Sequence, residues 1–271
     1  MALPAVKTWM LWVLALAITL SAALYQRITG PTWPVFGKVS IGGVQMKFRL
    51  NRSHAGEGDE EIRLLVPEQV SGGVLQLRRF PSNDPWTSLA MERDGDCLVG
   101  RIPHQPLAGK VMYHIELFGK DGSRTPLTAE PVQIRFRGAV PAIVMVPHIV
   151  LMFAAMLFSN RAGLDVLLSG ERVYRLSLYT FVLLIVGGLA LGPAVQKYAF
   201  DSYWTGWPFG RDLTDNKTFL CTALWGLALW RTRKNPPAKG WVLAAALATF
   251  AVFMIPHSVL GSQLDYTTAP K

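Results

Sequence analysis

Five apolar runs leave this chain few ways to fold. They are Trp9–Leu24, Val140–Phe158, Leu176–Val195, Phe219–Trp230 with its flanks, and Trp241–Ile255. A helix that crosses a bilayer needs about 20 mostly apolar residues, within a range of about 17–25. The third run meets that length and the second nearly does. The fourth is short, so its helix is expected to begin further back, near Leu213, with polar residues at the membrane surface. Between the first and second runs lie roughly 110 residues of ordinary soluble composition, enough for one domain. The whole chain is 51% hydrophobic with a mean hydropathy of +0.27, values that suit a protein partly in lipid and partly in water.

Lysine and arginine in the short loops set the orientation. Arg161, Arg172 and Arg175 follow the second run, and Arg231, Arg233, Lys234 and Lys239 follow the fourth. The alternate loop carries Lys197, Arg211 and Lys217 against Asp201, Asp212 and Asp215. With Lys7 ahead of the first run, this pattern predicts a cytoplasmic amino terminus and an extracytoplasmic soluble domain and carboxyl terminus. Asp265 then lies outside and Asn235 inside. The expected location is a bacterial-type inner membrane, crossed five times. The first run also has the features of a secretory signal, with Ser21-Ala22-Ala23 as a cleavage tripeptide; an uncleaved anchor is the preferred reading. The net charge of +9 is a topology signal on this view. The basic residues of the soluble stretch are interleaved with acids rather than gathered in a stripe, which argues against a nucleic-acid partner. The inner loops suit anionic lipid headgroups.

Three regions follow: an anchor over residues 1–28, a soluble domain over 29–138, and a four-helix membrane domain with an external tail over 139–271. In the soluble domain, Val44–Leu50 reads V-Q-M-K-F-R-L, apolar at every second position. Ile62–Val66, Val74–Phe80, Ser88–Glu92, Cys97–Ile102, Val111–Phe118 and Val132–Phe136 behave similarly, punctuated by Gly42-Gly43, Gly72-Gly73, Asp94-Gly95-Asp96 and Asp121-Gly122. Seven or eight short strands in this span predict an antiparallel β-sandwich. At the level of architecture the pattern looks like an immunoglobulin or fibronectin type III module, without the paired inter-sheet cysteines of antibody domains. Such modules mostly bind or space other proteins. Cys97 is expected to be a buried small hydrophobe, and Trp86 to pack over one end of the sandwich. His54, His104 and His114 are read as structural or surface residues.

The membrane domain repeats a phrase: Met145-Val146-Pro147-His148 and Met254-Ile255-Pro256-His257. An ionisable side chain inside a membrane segment is costly and by default faces protein or a cavity. His148 and His257 are therefore candidate cofactor-binding residues near the outer face, from two helices. Met145, Met152 and Met254 add thioethers at helical spacing. Imidazole with thioether or thiolate selects copper(I), and two imidazoles from facing helices could instead hold a haem b axially, among Leu151, Phe153, Phe250 and Phe253. Plain packing of the methionines, with the histidines hydrogen-bonding between helices, is the competing account. The aromatic loop Tyr198–Lys217 fits a headgroup-level belt or a lid. In the lid reading Asp201, Asp212, Asp215, Trp204 and Trp207 lie over the site, with carboxylates orienting imidazoles. Asp212 or Thr214 also suits a helix cap.

No phosphate loop, Gly-x-Ser-x-Gly, H-E-x-x-H or C-x-x-C-H motif is present. The chain is expected not to be an enzyme by itself. Two functional readings remain. One is a membrane accessory or redox-associated protein with a haem b or copper site between helices. The other is a non-catalytic interaction subunit whose sandwich docks an external partner, within a larger assembly of membrane or periplasmic subunits.

Overall fold

The computed structural model describes residues 8–168, 172–234, 238–257, 259 and 261–267. Lys7 and Asn235 lie outside the described residues. The chain forms two compact units, one of Met1–Pro31 with Val140–Ser262 and one of Thr32–Ala139 with Gln263–Lys271.

The second unit is β-rich. Its strands are β1 (Val35–Ile41), β2 (Val44–Leu50), β3 (Ser53–Ala55), β4 (Glu60–Leu65), β5 (Val70–Phe80), β6 (Thr87–Ala90), β7 (Glu92–Asp94), β8 (Cys97–Ile102), β9 (Lys110–Gly119), β10 (Arg124–Pro126) and β11 (Val132–Arg137). The larger sheet has the order β3-β11-β9-β5-β6, with β10 also on β9; β4-β8-β7 form a second sheet and β1-β2 a hairpin. Alternation of apolar and polar side chains drives this arrangement, because successive residues of a strand face opposite ways. Along β9 every second residue is buried, from Val111 to Gly119. Leu64, Leu75, Leu98, Ile115 and Ile134 meet in one core shared by the sheets. Tyr113 is fully buried there, and its hydroxyl donates to the Asn51 carbonyl at 2.7 Å.

Three details depart from the sequence expectation. The run Ser88–Glu92 is split: β6 pairs with β5, β7 pairs with β8, and buried Met91 lies between them. One apolar side chain thus marks where the chain changes sheet. The pairing of β3 with β11 is parallel, within otherwise antiparallel sheets. Cys97 is half-buried rather than buried, and Trp86 is 39% exposed with the Arg78 guanidinium 4.8 Å from its ring centre. Residues of the carboxyl tail belong to this unit: Leu264 N–H donates to the Ala108 carbonyl, Tyr266 N–H donates to that of Pro81, and the Arg79 guanidinium lies 4.7 Å from the Tyr266 ring centre.

The first unit is helical: α1 (Thr8–Thr29), α2 (Ala142–Leu168), α3 (Val173–Phe200), α4 (Leu213–Lys234) and α5 (Lys239–Met254). Helix α3 passes through a π-helical stretch, Leu184–Leu191. Among the described residues, α1, α2 and α3 are long and apolar enough to cross a membrane. Helix α4 begins at Leu213, and charged residues at both its ends lower its hydropathy. Helix α5 has 16 residues, a length of about 24 Å at about 1.5 Å per residue, against a hydrocarbon core of about 30 Å. Fully buried Trp225 of α4 belongs to one buried cluster with Ala155 and Ala162 of α2, Leu184 of α3 and Val242 of α5. Its indole N–H donates to Thr249 Oγ1 at 2.8 Å.

Helix α2 outlasts its apolar run by ten residues, Ser159 to Leu168. That extension corrects the reading of Arg161 as a loop charge. Arg161 is inside the helix and 1% exposed, and its Nη1 lies 2.8 Å from Asp165 Oδ1 one turn on. Spacing of four residues places the two charges side by side on one face. Asp165 Oδ2 also accepts the Arg172 N–H at the start of α3, and Asn160 reaches Thr19 Oγ1 of α1 at 3.0 Å. Removing one member of a buried pair leaves an uncompensated charge, at a cost of about 3–5 kcal/mol, whereas apolar replacement of both is often neutral. Asp165→Leu alone is therefore expected to lower the thermal unfolding midpoint in detergent sharply. The double variant Arg161→Met/Asp165→Leu should recover most of the loss, as read by a tryptophan fluorescence melt.

Candidate functional site

The repeated phrase adopts two conformations. Pro147 lies inside α2, where Pro141 accepts the first amide hydrogen bonds from Val144 and Met145. Pro256 lies beyond the end of α5. Ile255 before it is extended, at φ −79° and ψ 119°, as a residue preceding proline prefers. Helix α2 absorbs its proline near the start, where few hydrogen bonds are lost, and α5 stops at its own. His148 is accordingly half-buried on a helix face, and His257 is exposed in the turn after a helix.

His148 Nδ1 is 2.8 Å from the Gly187 carbonyl oxygen, in the π-helical stretch of α3. π-Helical backbone recurs at functional sites, and here it lies against two glycines. A Cβ on Gly187 would stand 2.8 Å from Leu151 Cβ, and one on Gly188 would stand 2.5 Å from Thr218 Cγ2. These glycines let α2 and α4 approach the backbone of α3. The interaction fixes the ring through Nδ1 and leaves Nε2 as the other potential ligand atom.

The end of α5 is held by two polar side chains that sequence reasoning did not single out. Gln26 Nε2 of α1 donates to the carbonyls of Phe253, at 2.7 Å, and Ile255, at 3.2 Å. Lys217 of α4 is 7% exposed, and its Nζ donates to the Ile255 carbonyl at 3.0 Å and lies 3.4 Å from that of Pro256. A terminated helix leaves carbonyls without intrahelical partners; an amide and an ammonium supply donors for them. The signal in the sequence was a lysine one turn into an apolar helix, facing a proline-terminated one. Gln26, Met152, Lys217, Cys221, Phe253 and His257 line a cleft at this end of the unit. It has room for about one water molecule.

The aromatic loop is cross-braced to the start of α4. Asp215 Oδ2 accepts the N–H groups of Thr205, at 2.7 Å, and Gly206, at 2.9 Å. Asp212 Oδ1 accepts the Thr214 N–H, as a helix-capping carboxylate does, and Oδ2 accepts both the N–H and the hydroxyl of Ser262 at 2.8 Å. Asp201 ends α3 in the left-handed region at φ 58° and pairs with Lys197 at 2.6 Å. Trp204 Nε1 donates to the Trp207 carbonyl at 3.1 Å. Asp212 and Asp215 thus hold backbone amides and Ser262, and Asp201 holds Lys197. Trp207 is 65% exposed and Phe209 84%, as in a segment that faces headgroups.

Of the residues singled out in the sequence, Met152 and His257 share the cleft, and Cys221 joins them. His148 lies within electrostatic range of His257 but does not line the cleft; Met145 and Met254 are half-buried elsewhere on their helices. Phe153, expected to cover a haem, is 44% exposed. Among the described residues, no three His, Cys, Asp or Glu side chains converge as a metal site. In the β unit, His54 Nδ1 is 2.7 Å from Glu60 Oε2, and His104 Nδ1 is 2.9 Å from the Gly58 carbonyl oxygen.

No protein-family model matches the chain, and no curated protein matches it at a significant level.

Replacing Lys217 by methionine keeps the stem and strands the carbonyls of Ile255 and Pro256. The expected cost is about 1–3 kcal/mol, read as an earlier melt in detergent and faster cleavage by protease after Met254. Lys217→Arg, which keeps a cationic donor, should lose less.

Proposed function

We propose that the protein is an integral membrane subunit without catalytic activity of its own, whose β unit is an immunoglobulin-like sandwich that docks an extracytoplasmic protein. The observation that carries this reading is how the polar side chains of the helical unit are used. His148, Gln26, Lys217, Asp212 and Asp215 all bond to backbone atoms or to Ser262, and hold helix ends and a loop in place. A unit so arranged presents and anchors. In the β unit, exposed Trp86 stacked by Arg78 beside the short edge strand β6 supplies the docking surface; Trp and Arg are the residue types that dominate protein interfaces.

The location belonging to this reading is a bacterial-type inner membrane with five crossings, α4 and α5 included, and with the amino terminus cytoplasmic. Charge supports that orientation. Arg175 and Arg233 are exposed on the side read as inner. On the opposite side Lys197 is paired with Asp201 and Lys217 is buried, which leaves Arg211 as the exposed basic residue of that loop.

Two measurements test the proposal. In a Cys97→Ser background, a cysteine at Asp265 should react with an impermeant thiol reagent applied to intact cells and one at Arg233 should not; the reverse pattern removes the extracytoplasmic assignment. Gentle detergent extraction should yield a stoichiometric complex that Trp86→Ala and Arg78→Ala dissociate, while the visible spectrum after dithionite shows no split α-band. A protein that is monomeric in every detergent, or one that carries haem, overturns the docking reading.

A further inference from the structure

We propose that the end of the helical unit where α4 finishes and α5 begins binds the phosphate of an anionic phospholipid, with the Arg231 guanidinium as its counter-charge. That guanidinium lies 5.8 Å from the Trp230 ring centre and 5.7 Å from that of Trp241, so aromatic side chains of both helices hold it. Arg231 is half-buried, and its Nε is enclosed without a hydrogen-bond partner. Among the described residues no carboxylate pairs with it. Nor does the local sequence offer one, since no acidic residue occurs between Asp215 and Asp265. A partly desolvated cation without a counter-charge is costly, so an anion from outside the chain stabilises it. Trp230 and Trp241 are 48% and 42% exposed, as aromatic side chains at a headgroup boundary are.

Other basic residues reach the same level. A Cβ on Gly226 of α4 would be 3.1 Å from the Phe181 ring of α3, and one on Gly188 would be 2.5 Å from Thr218 Cγ2, so the two helices run antiparallel. From the Phe181–Gly226 contact, α4 runs on to Arg231 and α3 runs back to Arg175, about 8 Å and about 9 Å in one direction at about 1.5 Å per residue. Arg175, Arg233 and Lys239 are exposed. Over residues 169–175 and 231–239 the sequence holds six basic residues against Glu171. Such a cluster attracts an anionic bilayer surface, and the planar fork of an arginine can take two phosphate oxygens at once. The exposed indoles beside the guanidinium select a phosphate that arrives with acyl chains, because a free hydrated ion would leave their apolar surface uncovered.

This inference rests on α4 and α5 crossing the membrane, and not on the docking of a partner protein. The full chain in mild detergent is titrated with dioleoyl phosphatidylglycerol or with phosphatidylcholine of the same acyl chains, and bound lipid is counted by native mass spectrometry. Phosphatidylglycerol should be retained in preference, and excess inorganic phosphate should not displace it. Arg231→Gln should weaken that retention about fivefold, the effect of one basic residue at a charged surface. Trp241→Leu should weaken it as well, while Arg124→Gln, which removes a charge from the β unit, should not. Trp241 is exposed, so its variant decides the matter if Arg231→Gln fails to fold. Equal retention of the two lipids, retention indifferent to Arg231→Gln and Trp241→Leu, or displacement by inorganic phosphate overturns the proposal. Thiol labelling at Asp265 and Arg233 separates the two failures: lipid preference lost with the expected labelling pattern refutes the lipid site alone, whereas a reversed pattern refutes the crossings beneath it.

Discussion

Lipid offers no hydrogen bonds, so a membrane-embedded backbone must satisfy its polar groups within the protein. In the helical unit the end of α5 is such a point, where carbonyls find their partners on other helices. Pro256 prevents α5 from continuing, and the carbonyls left behind are taken up by Gln26 of α1 and Lys217 of α4. Three helices are tied together by one helix end. Gln26 and Lys217 line the cleft at that helix end together with Met152, Cys221 and His257.

The same economy operates in the loop that precedes α4. Asp215 takes up the amides of Thr205 and Gly206, and Asp212 serves both the first turn of α4 and Ser262. Carboxylates that read in isolation as catalytic or orienting groups are here the means by which a non-repetitive segment stays folded. The exposed aromatic side chains of that loop, Trp207 and Phe209, need such a frame to be presented outward.

Much of the fold was legible because it is written in period. Alternation over Val44–Leu50 and Cys97–Ile102 gave strands with those bounds, and the long apolar runs gave helices. What was not legible depended on pairing across the chain. Met91 divides a run that alternates smoothly, because its two halves find different partners. Arg161 counted as a loop charge because hydropathy registers a charge and misses its cancellation by Asp165. The twin Pro-His phrases looked equivalent, yet local sequence does not say whether a helix runs on through a proline; the surrounding carbonyl acceptors and donors do. Of the residues read as a site, Met152 and His257 line one cleft, while the role of Lys217 in holding a helix end had no sequence pattern of its own.

The buried ion pair has a consequence for biosynthesis. Arg161 finds its counter-charge four residues along the same helix rather than on a neighbour. Helix α2 thus carries its neutralising partner with it, and the charge is paired as soon as that turn forms, before α4 and α5 have been synthesised. Had the aspartate been placed on a later helix, the arginine would have waited, unpaired, for the rest of the chain to emerge from the ribosome.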